Sequence, residues 1–416
     1  MISLIRNGTV IDGTGRAPVP NAGVLIADNL IREVGPIKSF GRQDSTVREI
    51  DAGGGYILPG FVDSHVHLTL EGINIARDMA TPFSLRFYRS VQYMRRTLEA
   101  GITSVRDAGG ADAGMKQAVE DHVVPGPRMQ ISITSLTITG GHGDFWMRSG
   151  DEFHTFPSYP GVPDGRCDGP DEVRSKVREV LRAGAEVIKI FTTGGVISPT
   201  DHPEFTQFSP EELDVIVSEA ARRRGTKVMA HAQGSEGIKN AVRAGVWSIE
   251  HGIYLDDEAI ELMLKRGTFL VPTLIAPVAV LETGKESGMP EYAIRKARDV
   301  IETHRDSISR AHKAGVKISM GTDAGVMAHG TNLRELGLMV DIGMTPMEAI
   351  VATTRTAAEC LGWDDRIGTL QAGKLADVII TRADPLRNIC SLEKTDNIVF
   401  VMKDGEVIKD RLDKPD

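Results

Sequence analysis

The sequence predicts an α/β chain: a central (β/α)8 barrel with a small β domain built from both termini. Two observations predict it. Eight Val/Ile-rich segments alternate with amphipathic ones over roughly 300 central residues, and both chain ends carry short strand patterns with no helical period. At the N-terminus the strand patterns are 3–6, 23–28, 30–34 and 47–51, separated by Gly and Asn turns. From Gly368 onward the pattern recurs at 376–381, 398–403 and 406–408, the last two joined through a Lys-Asp-Gly turn. Each end is too small to fold alone, so the two are expected to pair. The central strands are 60–68, 102–107, 129–136, 186–192, 227–232, 248–251, 268–274 and 317–323. Helical patterns between them include 84–100, 170–183, 210–224, 235–244, 256–265 and 293–314. A doubly wound open sheet is the alternative topology. The connection 139–169 is long and aperiodic, rich in Gly, Pro and aromatics, and follows a barrel strand on the face where barrels carry function.

Composition narrows the class. The chain has 416 residues, 48 Lys+Arg against 57 Asp+Glu, and a formal charge of −9. Apolar residues at 41% and charged residues at 25% are those of an ordinary globular chain. The acidic balance argues against nucleic acid or an anionic membrane as partner. Cys167, Cys360 and Cys390 are too few and too scattered for a disulfide framework or a thiolate metal site. The opening Met-Ile-Ser-Leu-Ile-Arg-Asn-Gly lacks a signal-peptide core, and no apolar run is long enough to span a bilayer. A soluble cytoplasmic protein is expected.

The chemistry begins at Asp63-Ser64-His65-Val66-His67. Side chains alternate along a strand, so His65 and His67 face the lumen together while Val66 packs outward. Two imidazoles one strand repeat apart can share a metal ion. Lys189 interrupts the apolar strand Val187-Ile188-Lys189-Ile190-Phe191, where an ammonium is costly. Burial lowers its pKa, and a neutral amine can add carbon dioxide to become an anionic carbamate. His231, His251 and Asp323 each stand at the end of a later strand. Alone, each histidine reads as a core or loop residue and Asp323 as a helix cap. Together they form one constellation.

That set, His65-x-His67, Lys189, His231, His251 and Asp323, resembles the binuclear metal-dependent amidohydrolase superfamily over essentially the whole chain. The resemblance implies a barrel over 57–367 and a β-sandwich from 1–56 plus 368–416, with Gly-Thr-Leu-Gln-Ala-Gly-Lys-Leu-Ala-Asp at 368–377 as the sandwich return. It implies two divalent ions, expected to be zinc. His65, His67 and Asp323 would hold one and His231 and His251 the other, with N6-carboxylated Lys189 and a hydroxide bridging. Asp323 would act as general base and then acid.

Three further segments narrow the branch: 188–199 (Ile-Lys-Ile-Phe-Thr-Thr-Gly-Gly-Val-Ile-Ser-Pro), Thr139-Gly140-Gly141-His142-Gly143-Asp144, and 321–332 with His329-Gly330. They resemble prolidase-like and Xaa-Arg/Lys dipeptidases and ochratoxin-type N-acyl amino acid hydrolases. The resemblance implies that His142 contacts the scissile carbonyl or its oxyanion. Some dipeptidases of the branch place a substrate-binding tyrosine two residues beyond the strand-five histidine. Here Gln233 occupies that position and is the expected substrate contact. The expected reaction is release of a C-terminal amino acid from a dipeptide or N-acyl amino acid. Carbamate, urea or cyclic-amide hydrolysis is the first alternative, a non-catalytic metal scaffold the second and a nucleobase-type deaminase the third. Partners are expected to be a small molecule or dipeptide, with no nucleic acid or membrane, and a homo-oligomer is expected. Among the remaining residues, Asp63 is expected behind the ligands and Arg106-Asp107 as a structural or pocket-floor pair with no ligand role. Glu250 alternates away from His251 and is expected outside the lumen. His329 would orient its loop or touch substrate. His122, His154, His202, His304 and His312 are expected at the surface.

Overall fold

The computed structural model describes residues 2–40, 47–147 and 149–412. The two chain ends meet in one eight-stranded sheet. Its order runs Glu406–Asp410, Ile398–Lys403, Val378–Thr381, Tyr56–Pro59, Ile2–Val10, Val19–Ala27 and Leu30–Pro36, with Arg48–Asp51 also paired to Ile2–Val10. Val378–Thr381 lies antiparallel to Tyr56–Pro59, joining the C-terminal strands to the N-terminal ones. The hairpin at Asp404-Gly405 has φ of 52° and 78°, the doubly left-handed turn that Asp-Gly favours between twisted strands. Alternate residues Val24, Ile26, Val378, Ile380, Phe400 and Met402 bury one face of this sheet.

The central strands are parallel. Phe61–Val66 pairs with Ile102–Asp107, which pairs with Arg128–Ile131. Ser135–Leu136 pairs with Val187–Phe191, followed by Lys227–Ala232, Ser248–His251 and Phe269–Val271. The third expected strand is therefore two short pieces, because Ile133 at φ 68° turns the chain between them. The eighth segment forms no regular ladder. It joins its neighbours through single parallel bridges, Leu270 to Ile318 and Val66 to Ala324, and through Ser64 N–H donating to the Met320 carbonyl at 2.9 Å. Gly321 permits this wedge: a Cβ there would stand 2.3 Å from Val271 Cγ1.

Helices pack outside these strands. Gly169–Arg182 buries Val173, Val177, Val180 and Leu181, a single stripe at helical spacing. Pro210–Arg222 starts on a capping box between Ser209 and Glu212, with Pro210 in the first turn. The 139–169 connection carries a two-residue hairpin, Phe145–Trp146 against Glu152–Phe153. Arg128 ties the parallel strands to the terminal sheet through Asp377 at 2.7 Å and Asp404 at 2.5 Å. Among the described residues no helix is long and apolar enough to cross a membrane.

Candidate active site

One cavity is lined by His65, His67, Lys189, His231, His251 and Asp323, together with His142 and Gln233. His65 and His67 sit at the end of Phe61–Val66, and ligand atoms of His65, His67 and Asp323 lie within 4.8 Å of one another. Asp323 Oδ1 is 3.5 Å from His65 Nε2 and 3.3 Å from His67 Nε2. Lys189 Nζ rises from mid-strand to 3.5 Å from His65 Nε2. The His231 and His251 rings meet at 4.5 Å between centroids, and His251 lies 5.3 Å from His65.

Each imidazole has one nitrogen engaged from behind. His65 Nδ1 bonds Glu250 at 2.8 Å, and His67 Nδ1 donates to the Gly109 carbonyl at 2.9 Å. His231 Nε2 donates to the Gly194 carbonyl at 3.1 Å, and His251 Nδ1 bonds Thr273 Oγ1 at 2.7 Å. These contacts fix the ring orientations and leave the other nitrogen of each ring for a ligand. Nitrogen and carboxylate donors held in this way suit a divalent metal. Burial holds the His65, His231 and His251 pKa values well below the ordinary range, so neutral imidazoles face the cavity. Burial also brings Lys189 down to about 8, placing a neutral amine within reach near neutral pH. For Asp323 burial favours the acid form, but hydrogen bonding to His67 and the charges around it outweigh burial and lower its pKa.

His142 stacks on His231 at 4.3 Å. Its Nδ1 is 2.8 Å from Ser198 Oγ and 3.5 Å from Asp201 Oδ2, while Ser198 also bonds Asp201. The segment bearing these two residues is tied down by Lys296, whose ammonium donates to the carbonyls of Gly195 (3.0 Å), Ser198 (3.0 Å) and Asp201 (2.7 Å). Gly195 lets the segment pass beside the ring, since a Cβ there would stand 2.2 Å from His142 Cε1. Sequence reading carried Ser198 only as part of the 188–199 segment, with no role of its own, and did not single out Asp201 or Lys296. A lysine on an amphipathic helix carries no mark of three carbonyl partners.

Two expectations are corrected. Glu250 is fully buried inside the circuit, between His65 Nδ1 and Arg106 Nη2 at 2.9 Å. Alternation failed because His251 has φ 73°, which turns it out of the strand, so both neighbours serve the site. His304 is buried rather than at the surface, and its Nε2 donates to the His251 carbonyl at 2.9 Å. The signal was available: Ala293, Ala297, Val300, His304 and Ile308 form one buried stripe of their helix. His122, His154 and His202 are exposed and His312 is half-buried. Asp63 lies behind the ligands, accepting from Thr322 and Asn332. His329 bonds the Leu70 carbonyl at 2.9 Å and stacks on Tyr93, a loop-orienting position. From the long connection, Phe145, Thr155 and Phe156 reach the cavity wall, and Phe156 stacks on His67.

With this geometry established, comparison with known proteins is informative. Residues 56–408 match the amidohydrolase family. Ochratoxinase from Aspergillus niger is 34% identical, the match covering 98% of this chain and 87% of that protein. The crystal structure of a Xaa-Pro dipeptidase with methionine bound in its active site superposes with a TM-score of 0.89 at 35% identity, covering 98% of this chain and 99% of the other. Molinate hydrolase superposes with a TM-score of 0.80 at 26% identity, covering 98% and 94%. Match, fold and cavity agree: the chain belongs to the amidohydrolase family and is a hydrolase acting on amide bonds.

Proposed function

We propose that this hydrolase releases an amino acid from a dipeptide or N-acyl amino acid, using two divalent ions, with zinc the expected metal. The supporting observation is the convergence of the His65, His67 and Asp323 cluster, the His231 and His251 pair, a buried lysine and His142 on one largely apolar cavity. The circuit of parallel strands is read as a (β/α)8 barrel over 57–367, and the sheet of both termini, 1–56 and 368–416, as its β-sandwich companion. His65, His67 and Asp323 would hold one ion, His231 and His251 the other, with Lys189 as its carbamate between them. When bound, such ions polarise a carbonyl and make water acidic enough to attack near neutral pH.

The remaining roles belong to the chain. Asp323, at 3.3 Å from His67 and facing the cavity, accepts the proton of the attacking water and returns it to the departing amine nitrogen. The water's oxygen joins the acyl carbon as the C–N bond breaks, so the products are a carboxylic acid and an amine. His142, with Nδ1 anchored on Ser198 and Asp201, points its other nitrogen at the developing oxyanion. Phe145, Phe156, Ile253 and Val280 exclude water and favour an apolar side chain, in keeping with the methionine held by the dipeptidase relative. Likeness to molinate hydrolase supports a second reading, hydrolysis of a small molecule other than a peptide, with carbamates and ureas the classes to try. The test is release of amino acids from a library of dipeptides and N-acyl amino acids by zinc-loaded protein prepared with bicarbonate. Turnover establishes the first reading. Silence there with turnover of carbamates or ureas establishes the second.

A further inference from the structure

A second cavity, of about 370 Å³, adjoins the catalytic one, and Leu70 lines both. The helix Leu85–Glu99 presents Arg86, Arg89 and Tyr93 to it, at the i, i+3 and i+7 spacing of one helical face. All three are half-buried. Phe83, Phe153 and Pro157 add apolar wall.

The charges around this cavity do not cancel. Each carboxylate that lines it already has a cation: Glu71 pairs with Arg96, Asp78 with Arg77 at 2.9 Å and Glu152 with Arg166 at 3.2 Å. Among the described residues neither Arg86 nor Arg89 pairs with a carboxylate. Arg86 Nη1 donates to the Thr155 carbonyl at 2.6 Å, which leaves Nε and Nη2 without a protein acceptor, and Arg89 has no acceptor at all. None of these nitrogens is closed off from solvent, and the Tyr93 hydroxyl is open in the same way. Burial lowers the Arg86 pKa, and the Asp78 charge offsets this only in part. A half-buried guanidinium in that setting lacks a counter-charge.

The donors select the ligand. A guanidinium fork matches the two oxygens of a carboxylate, and a phenol hydroxyl adds one more donor. The apolar walls favour an organic body over a bare ion. We propose that this cavity is a second, non-catalytic binding site for a small organic carboxylate with an apolar body, held by Arg86, Arg89 and Tyr93. The site lies beside the chemistry: Thr155, whose carbonyl Arg86 holds, lines the catalytic cavity, and its neighbour Phe156 stacks on His67. None of the six candidate metal ligands lines it, so it is independent of the hydrolytic reaction proposed above.

Calorimetric titration of metal-loaded protein with phenylacetate, phenylacetamide and inorganic phosphate tests the site. Phenylacetamide keeps the body and loses the charge, whereas phosphate keeps the charge and loses the body. Carboxylates also reach catalytic metals, so the quantity read is the binding that disappears in Arg89→Met, a change outside the catalytic cavity. The expected result is Arg89-dependent phenylacetate binding with a Kd below about 1 mM. Phenylacetamide and phosphate should each bind there at least about tenfold more weakly, as charge-assisted bonds or apolar contacts are lost. Arg86→Met should abolish the same binding event, and the Tm of each variant without ligand controls for folding. Phenylacetate binding unmoved by both variants, an Arg89-dependent Kd above about 1 mM, or phenylacetamide or phosphate bound as tightly as phenylacetate overturns the proposal. Each of those results leaves the amide-hydrolase reading intact.

Discussion

Replacing Glu250 by glutamine tests whether the ligand cluster depends on a charge buried beneath it. Glu250 is fully buried; Oε1 accepts from Arg106 Nη2 at 2.9 Å and Oε2 bonds His65 Nδ1 at 2.8 Å. Arg106 is itself buried, and its Nε donates to the Ser64 carbonyl at 2.8 Å. Glu250→Gln keeps the shape and removes the charge, leaving a buried guanidinium without its carboxylate. Breaking one side of a buried pair costs about 3–5 kcal/mol. An unfolding entropy of about 2.1 cal/mol/K per residue over 416 residues turns that into a Tm lower by ~3–6 °C. The same change loosens the His65 ring, and loss of such a partner lowers metal affinity by roughly 10–100-fold. Scanning calorimetry of metal-free protein reads the first effect, and metal retained against a graded chelator reads the second. A further variant, Arg106→Leu with Glu250→Leu, removes both charges and should recover part of the lost stability. A Glu250→Gln protein with unchanged Tm and unchanged metal retention would refute the reasoning.

Other consequences are open to direct measurement. Metal-replete Asp323→Asn should lose about 10²–10⁴ in kcat, and a near wild-type rate would remove the carboxylate from proton transfer. Lys296→Met frees the Gly195–Asp201 carbonyls and with them the Ser198–Asp201 anchor of His142; kcat should fall while metal content stays unchanged. Gly195→Ala, which forces a Cβ to 2.2 Å from His142 Cε1, should do the same. Burial favours protonated Asp377, but Arg128 outweighs burial and holds its pKa below the ordinary value. Its stabilising contribution is therefore complete above the unfolded-state pKa of about 3.9 and is lost as pH falls through the folded-state value. Asp377→Asn should lower Tm at neutral pH, and its deficit relative to wild type should shrink on acidification below about pH 4.

Strand ends decided how much of this protein was legible. Two-residue alternation correctly brought His65 and His67 together, because neither they nor Val66 between them leave the negative-φ backbone. Apolar periodicity likewise marked the helical stripe of Gly169–Arg182. Alternation misled one position later in the logic, at Glu250-His251, because it presumes extended backbone on both residues. His304 was misread for a different reason: its place on a buried stripe was visible, but a histidine was weighed by residue type rather than by spacing. The clamp of Lys296 on Gly195, Ser198 and Asp201 had no local signature at all. It joins a helix to a segment about a hundred residues earlier through backbone carbonyls, which every residue carries.

The positions that escaped the period also share a conformation. Ile133, His251, Thr273 and Asp323 have φ of 68°, 73°, 52° and 60°, in the left-handed region that non-glycine residues seldom occupy. Ile133 divides the third strand, and the other three supply a candidate ligand, its hydroxyl support and the candidate proton carrier. Each such residue costs of order 1–3 kcal/mol and persists where surrounding bonds overdetermine it. Those bonds are present: Asp323 N–H donates to the His65 carbonyl at 2.8 Å, while Asp63 holds both N–H and hydroxyl of the adjacent Thr322. The strain thus bends side chains inward that a straight strand would send outward. Asp63→Asn tests this step of the argument, because it weakens the restraint on the Asp323 turn while leaving every candidate ligand side chain in place; Asp63 Oδ1 also accepts from the His65 N–H at 3.1 Å, so metal content is measured beside kcat. Its expected signature is a lower kcat with Asp323 still in place, and unchanged kcat would mean that the turn holds itself.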